Sequence, residues 1–298
     1  KVVSFDNSYR VGHSRVDHVH STKFNVMRTG NMSAKTVLTT HRDVDFDPET
    51  FISTYYSSVA GHEEDGDLIK FFLDGLSDAF KSGAISGAQI LDIGTGPIPH
   101  TAFCAAPWFE EITLSDFSQK NLDFLQKWKN GEINHMDPIL NYLVQVDKSS
   151  SSVEKRQDEL KRKIKNIVKC DVTQPNPVVS TPVDGVVFDA ITSSLCLESA
   201  SVTLDDYAKS VQNLTGLLKP GGHLVLVGVL EETFYRVGDF RFKCTYIRKD
   251  QLQDIWQKDG FEILSLKDFN DTCFSHKAGN DFSDFQNAFV MVAKKRED

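Results

Sequence analysis

The stretch that decides the fold is ILDIGTGPIPH, residues Ile90–His100. An apolar run closes on Asp92 and leads into the turn GTG, which Pro97 and Pro99 follow. Such a turn after a buried strand is typical of the first strand-to-helix connection in an open α/β sheet, where ligands sit at the carboxyl ends of the strands. Glycine suits this place because a residue without Cβ lets the backbone approach a ligand closely.

Segments with strand and helix character alternate along the rest of the chain. Strands are predicted at AQILDI, EEITLSD, a segment ending on Asp171, VDGVVFDAITSS, HLVLVGVL, FEILSL and AFVMVAK. Helices are predicted between them, at TAFCAAPWF, NLDFLQKWK, a charged segment carrying Leu160, Ile164 and Ile167, LDDYAKSVQNLTGLL (stopped by LKPGG) and KDQLQDIWQKDG. The alternation predicts an α/β fold with a doubly wound, mostly parallel sheet.

The N-terminal part divides into a polar extension and a helical start. Residues 1–44 are polar and show no sustained periodicity, so they are expected to be an extension of unknown role. From residue 45 the pattern becomes helical, with Asp47 as the N-cap, Pro48 in the first turn and Glu49 adding favourable charge there. The segment DLIKFFLDGLSDAF predicts a second helix. Residues 45–298 are therefore expected to form a single domain.

Composition excludes several classes of function. The formal net charge of -9 argues against a general affinity for nucleic acid or anionic membrane, and no run approaches the roughly 18 apolar residues of a membrane span. The five cysteines form no CxxC pair, which argues against a disulfide framework or a zinc site and fits a reducing cytosol. His18 and His20 would share a strand face, but two histidines without a third ligand seldom bind metal, so no metal is expected.

The turn favours a nucleoside cofactor without phosphate. A dinucleotide fingerprint GxGxxG would place its third glycine at Pro99, and Pro97 and Pro99 remove two of the N–H groups that bind pyrophosphate. Asp116 lies 22 residues after Gly94, about the spacing at which an acid meets a ribose diol. The acid alone fits NAD and S-adenosylmethionine alike; the prolines favour S-adenosyl-L-methionine. Asp171 is then expected to accept from the adenine amino group.

Four longer stretches carry a family resemblance: DIGTGP, LSDFSQKN, VKCDVTQPNP, and SSLCLES followed by LKPGGHLVLVGVLEETFY. With them the chain, from about Asp47 to Lys295, resembles the nicotinamide, phenylethanolamine and thioether/indolethylamine N-methyltransferases. The resemblance implies a Rossmann-like class I methyltransferase sheet with a helical lid at residues 45–85. It also implies transfer of a methyl group from S-adenosyl-L-methionine to the nitrogen of a small amine, with S-adenosyl-L-homocysteine as product.

The resemblance assigns cofactor contacts to the strand ends and the lid. The residues are Tyr56, Gly94, Thr95, Gly96, His100, Asp116, Phe117, Asn121, Asp171, Val172 and Ser194. The glycine turn would flank the methionine part, with Asp116 at the ribose and Asp171 at the adenine. In the lid, the family pattern Y-x-x-x-Y-Y reads Phe51, Tyr55, Tyr56, and the Tyr56 hydroxyl is expected to reach the cofactor carboxylate. His100 stands where the family usually has a tyrosine and is expected to donate in its place.

The substrate side is predicted from two acids. An aliphatic amine reaches the enzyme protonated and must lose a proton before it attacks a methyl carbon about 3 Å away, whereas a pyridine nitrogen is already neutral. Glu198 and Glu232 are expected just beyond adjacent strands, facing one crevice. They resemble the two glutamates of phenylethanolamine methyltransferases, with Tyr235 nearby. Glu232 would bind the ammonium and accept its proton beside Glu198, while Glu231 is expected to point away.

The expected substrate is an arylalkylamine, bound also by the lid residues Phe51 and Tyr55. The aspartate with which nicotinamide methyltransferases hold the carboxamide would fall at Gly228, which disfavours nicotinamide. Because substrate choice within a family depends on few contacts, nicotinamide is kept as the alternative. A binding protein that has lost catalysis is kept open by Phe51, His100 and Gly228. A dehydrogenase and a nucleic-acid methyltransferase are disfavoured by the turn and by the net acidity. The chain is expected to act as a cytoplasmic monomer on a small amine or pyridine, without nucleic acid or membrane.

Overall fold

A computed structural model describes residues 38–57, 59, 67–147, 151–178, 185–271 and 281–297 of the 298-residue chain. The strands in these residues are β1 (Leu38–Thr39), β2 (Gly87–Ile93), β3 (Phe109–Asp116), β4 (Ile164–Lys169), β5 (Phe188–Ser194), β6 (Leu218–Leu230), β7 (Phe234–Val237), β8 (Phe240–Lys243), β9 (Phe261–Asp268) and β10 (Asn287–Lys295). The α-helices are α1 (Pro48–Phe51), α2 (Leu68–Phe80), α3 (His100–Ala105), α4 (Gln119–Lys129), α5 (Asp137–Val146), α6 (Val153–Lys163), α7 (Leu197–Ala200), α8 (Leu204–Thr215) and α9 (Lys249–Lys258).

The central sheet has seven strands in the order β4-β3-β2-β5-β6-β10-β9. Strands β2 to β6 pair in parallel, and β10 runs antiparallel to both of its neighbours. The predicted doubly wound, mostly parallel sheet is confirmed. Because β2 pairs with β3 on one side and β5 on the other, the turn after β2 lies at the reversal of strand order. This crevice is where open α/β sheets bind ligands.

Apolar side chains cover both faces of the sheet. In β2, Ile90 belongs to the core on one face, whereas Leu91 and Ile93 belong to the core on the other. The first core contains residues of α2 to α6, and the second contains residues of α7, α8 and α9. Strands buried on both faces read as continuous apolar runs, which explains the run LVLV in β6. Helices on both faces therefore hold the strand ends, and the turns after them, in fixed positions.

Three sequence predictions about the middle of the chain need correction. Helix α6 ends at Lys163, and Ile164 and Ile167 lie in β4 rather than on the helix, because this segment pairs with β3. Between α4 and α6, where the sequence predicts no helix, the chain forms α5, which buries Ile139, Leu140 and Leu143. Strand β6 begins at Leu218, so the LKPGG segment is part of the strand rather than only the stop of a helix. The second sheet, with the order β1-β8-β7, was not predicted.

The helical start of the domain is an α-helix for one turn only. The Asp47 side chain accepts from the Glu49 N–H, as an N-cap does, but α1 ends at Phe51 and continues as a π-helix over Ile52–Tyr56. The second predicted helix is present as α2. Strand β1 pairs in parallel with β8, so residues 38 and 39 lie against the small sheet. In the described part of the chain, no helix combines the length and apolarity that a membrane crossing requires.

Candidate active site

One cavity lies beyond the carboxyl ends of β2 to β6 and contains every residue predicted for cofactor or substrate. Its lining includes Phe51, Tyr55, Tyr56, Gly94, Thr95, Gly96, His100, Asp116, Phe117, Asn121, Asp171, Val172, Ser194, Glu198, Glu232 and Tyr235. The fold therefore brings the two predicted groups into a common site. The role of each residue stays a prediction that the local geometry can support or oppose.

The glycine turn needs glycine for two different reasons. Gly94 and Gly96 have φ values of +66° and +65°, in the left-handed region that favours glycine. A Cβ at Gly94 would lie 2.2 Å from Cys196 Sγ, so packing against the residue that precedes α7 excludes a side chain. A Cβ at Gly96 would meet nothing within 4 Å, so this backbone borders open space in the cavity. The turn leaves room for a ligand beside Gly96.

Asp116 and Asn121 offer a hydrogen-bonding site at the end of β3. Asp116 is buried, and it accepts from the N–H of Gly96 at 2.7 Å, the N–H of Ser118 at 2.7 Å and Asn121 Nδ2 at 3.1 Å. Burial raises the pKa of Asp116, and these hydrogen bonds oppose that rise. Asn121 Oδ1 is buried but accepts no hydrogen bond from the described residues. Buried acceptors normally have a donor, so a ligand hydroxyl such as that of a ribose fits this place.

Asp171 has a partner that the sequence did not reveal. Arg42 Nη2 donates to both carboxylate oxygens, at 2.7 and 2.8 Å, and to Thr173 Oγ1 at 2.7 Å. The Arg42 guanidinium also lies 4.9 Å from the centre of the Phe117 ring. Desolvation alone would raise the pKa of Asp171, but hydrogen bonds from Arg42 and Thr173 hold it below its usual range. An adenine amino group would therefore share this carboxylate with Arg42.

His100 uses its hydrogen-bonding capacity inside the protein. Its Nδ1 lies 2.9 Å from the Ile98 carbonyl oxygen, and its Nε2 lies 3.3 Å from Ser194 Oγ. Burial lowers the pKa of His100 to about 4, so the ring is neutral at pH 7 and carries one proton. With that proton donated by Nδ1 to Ile98, Nε2 accepts from the Ser194 hydroxyl. The expected donation from His100 to a cofactor carboxylate would therefore require a second proton.

The two predicted acids are both buried and both line the cavity. Glu198, on α7, accepts from the Val229 N–H at 3.3 Å, while Glu232, just after β6, accepts from Ser283 Oγ at 2.5 Å. Burial raises the pKa of Glu198 to about 7 and that of Glu232 to about 8, with the Glu198 charge adding to the rise for Glu232. Cavity-lining acids with strongly raised pKa values are typical of functional sites.

Aromatic side chains at one side of the cavity join the π-helix Ile52–Tyr56 to the small sheet. The Tyr55 hydroxyl donates to the Arg236 carbonyl oxygen at 2.7 Å, and Tyr235 shares a hydrogen bond of 2.6 Å with His41 Nε2. Burial lowers the pKa of His41 to about 4, so this ring is neutral at pH 7. Glu231 accepts from the Tyr246 hydroxyl at 2.7 Å and is absent from the cavity lining, in agreement with the expectation that it points away.

The sequence reasoning missed His41, Arg42 and Ser283, which all line the cavity. No local signal marks them, because each reaches the site through contacts between distant segments. Within the described ranges, no group of three or more histidine, cysteine, aspartate or glutamate side chains is arranged to hold a metal ion. His18 and His20 lie outside the described residues.

Comparison with known proteins finds a matching family and several similar enzymes. The sequence model of the NNMT/PNMT/TEMT family matches residues 34–296. The indolethylamine N-methyltransferase of Oryctolagus cuniculus is 34% identical over 223 residues, which are 74% of this chain and 84% of that protein. The nicotinamide N-methyltransferase of Homo sapiens is 28% identical over 252 residues, 84% and 93% of the two chains. The phenylethanolamine N-methyltransferase of Sus scrofa is 28% identical over 227 residues, 75% and 80%.

A solved structure supports the fold. A SAM-dependent methyltransferase from Methanosarcina mazei superposes with a TM-score of 0.50 at 14% identity, covering 74% of this chain and 98% of that one. The family match spans nearly the whole described chain, and the cavity lies where this fold binds its ligands. The chain therefore belongs to the NNMT/PNMT/TEMT family and is an S-adenosyl-L-methionine-dependent N-methyltransferase.

Proposed function

We propose that this enzyme methylates the nitrogen of a small arylalkylamine of the phenylethanolamine or indolethylamine type. The observation that carries the proposal is the pair of buried acids, Glu198 and Glu232, in one cavity. A buried carboxylate is unfavourable unless a cation or strong donors compensate it. A protonated amine supplies both a positive charge and N–H donors, so it complements this pair.

The other half of the cavity is proposed to hold the cofactor. The acceptor oxygens of Asp116 and Asn121 suit a ribose diol, and the open space beside Gly96 suits a ligand close to the backbone. Asp171 and Val172 are proposed to border the adenine, with Tyr56 and Ser194 nearer the methionine part. When bound, S-adenosyl-L-methionine supplies an electrophilic methyl group on a sulfonium.

Glu232 is proposed as the group that makes the amine nucleophilic. An alkylammonium group has a pKa near that of lysine, about 10, and holds no lone pair for attack. Glu232, once ionised, would bind the ammonium and accept its proton at a carboxylate oxygen, which leaves a neutral amine beside it. The raised pKa of Glu232, about 8, makes it a better proton acceptor than an ordinary glutamate. Glu198 would provide the second carboxylate for the ammonium or for a substrate hydroxyl.

Gly228 supports an amine over nicotinamide as the substrate. A Cβ at this position would lie 3.0 Å from Glu198 Oε1 and 2.9 Å from the Phe289 ring. The space that an aspartate at position 228 would need is therefore taken by Glu198. An aspartate at position 228 and Glu198 in its present position cannot occupy this space together. This chain has the glutamate.

The test is transfer of a labelled methyl group from S-adenosyl-L-methionine to phenylethanolamine, tryptamine and nicotinamide, from neutral to alkaline pH. We expect turnover of an arylalkylamine that rises with pH and collapses in Glu232→Gln. The matched control is Glu231→Gln, which alters the neighbouring acid outside the cavity and should leave turnover unchanged. Turnover of nicotinamide alone, equal in wild type and Glu232→Gln, would refute the proposal.

A further inference from the structure

A C-terminal segment, residues 281–286, brings a serine to the catalytic glutamate proposed above. The Asp284 carboxylate accepts from the N–H groups of Thr233 at 2.7 Å and Phe234 at 3.2 Å. The Arg236 N–H donates to the Phe282 carbonyl oxygen at 2.7 Å. These bonds run along β7 and the residues just before it, so the segment is fixed in register beside Glu232. Ser283 sits between the anchored residues and is buried.

Contacts with Phe285 and Glu232 orient the Ser283 hydroxyl. Its oxygen accepts from the Phe285 N–H at 3.3 Å, and its hydroxyl donates to Glu232 Oε1 at 2.5 Å. Because the backbone N–H approaches the oxygen as a donor, the hydroxyl proton is directed towards the carboxylate. The Cys244 thiol also faces Glu232 and lowers the pKa of that carboxyl group. Burial raises the pKa of Cys244 well above its usual range, so the thiol keeps its proton and has one to donate to the carboxylate.

We propose that Ser283 is a positioning residue that stabilises the ionised form of Glu232 and presents its carboxylate to the substrate ammonium, with Cys244 as a second donor. The inference rests on the proposed function, in which Glu232 accepts a proton. Hydrogen bonds to a charged acceptor are stronger than those between neutral groups, so they stabilise the carboxylate more than the carboxylic acid. Without them, a carboxyl group buried this deeply would keep its proton and could not take one from an amine.

The groups around Glu232 act in opposite directions. The titratable groups that face it are Glu198 from α7, Asp284 from the C-terminal segment, Cys244 after β8 and Tyr235 from β7. The charges of Glu198 and Asp284 disfavour a carboxylate at Glu232, whereas hydrogen bonds from Cys244 and Ser283 favour it. Removal of the Ser283 hydroxyl therefore shifts this balance towards the protonated acid.

The first experiment is the pH profile of kcat/KM for arylalkylamine methylation in Ser283→Ala. We expect the rise of kcat/KM with pH to move about one pH unit towards alkaline pH. This corresponds to a roughly tenfold lower kcat/KM at pH 7, whereas the alkaline plateau should be unchanged. Ser283→Thr retains a hydroxyl and should restore the profile. The matched control is Ser77→Ala, which removes another buried serine hydroxyl that donates to a carboxylate, that of Asp147, away from the cavity. Its profile should coincide with that of wild type.

A second readout needs no substrate. Urea unfolding of wild type, Glu232→Gln, Ser283→Ala and the double variant is followed across the same pH range. The stability gained by Glu232→Gln rises with pH until Glu232 ionises in the folded protein. In the Ser283→Ala background this rise should continue to higher pH, because Glu232 then holds its proton to higher pH.

The outcomes separate this inference from the proposed function. An unmoved profile in Ser283→Ala, with turnover still lost in Glu232→Gln, overturns the positioning role and leaves the proposed function intact. If wild type methylates no amine, the proposed function fails, and the urea series then decides whether Ser283 stabilises the Glu232 carboxylate. Equal pH dependence in both backgrounds of that series overturns the inference.

Discussion

Replacement of Glu232 by glutamine should make the protein more stable at neutral and alkaline pH. Glu232 is 5% exposed, and its burial raises its pKa from 4.5 to about 8. Between these two values the folded protein holds a proton that the unfolded chain releases. Folding stability therefore falls as pH rises through this window, because the folded state binds more protons than the unfolded state. Glutamine has nearly the shape of the protonated acid and keeps an acceptor for Ser283, but it has no charge to lose.

The size of this stability gain follows from the pKa difference of Glu232 between the folded and unfolded states. Each unit of pKa difference corresponds to about 1.4 kcal/mol, so Glu232→Gln should gain on the order of 3 kcal/mol over wild type at pH 7. The gain should be close to zero near pH 4.5, where the glutamate is protonated in the folded state, and should level off above about pH 8. The same side chain that is proposed to accept the amine's proton is thus destabilising to the fold.

Urea unfolding curves of wild type, Glu232→Gln and Glu231→Gln from acid to alkaline pH measure this directly. Glu231→Gln is the matched control, because that residue lies next in the chain but outside the cavity. A Glu232→Gln variant that is less stable than wild type at pH 8, or whose stability difference does not change with pH, would refute the reasoning that burial raises the pKa of this carboxyl group in the folded protein.

Three further predictions concern the cavity wall and the core. Gly228→Asp places a Cβ 3.0 Å from Glu198 Oε1. We expect a loss of about 1–3 kcal/mol in unfolding free energy and a loss of arylalkylamine turnover. Unchanged stability in urea would contradict the expected steric clash. Arg42→Met breaks a half-exposed ion pair with Asp171, so the unfolding free energy of this variant should differ from that of wild type by less than about 1 kcal/mol. A larger loss of unfolding free energy in urea would contradict this expectation. Leu76→Ala truncates a fully buried side chain and should destabilise the protein by about 2–5 kcal/mol. A drop in the urea midpoint smaller than this loss requires would mean that the core collapses around the cavity.

The parts of the fold that the sequence predicts are those encoded locally. The apolar run before Asp92 predicts the strand β2, Asp47 predicts the start of a helix, and LDDYAKSVQNLT predicts α8 from its spacing. The predictions failed where the local sequence pattern is ambiguous or too short. Ile164 and Ile167 fit a helical spacing and a strand equally well, so the pairing of β4 with β3 decided between them. The small sheet was missed because β1, β7 and β8 are only two to four residues long.

The sequence by itself determined an open α/β sheet, a turn poorly suited to pyrophosphate, and acids at the ends of strands. Periodicity, proline and glycine carry these features within a few residues of chain. Tertiary structure alone decided that Arg42 meets Asp171 across 129 residues and that Ser283 meets Glu232 across 51. It also decided that Glu198 fills the space beside Gly228. Such contacts depend on how whole elements pack, and packing brings together residues whose separation along the chain carries no periodic signal.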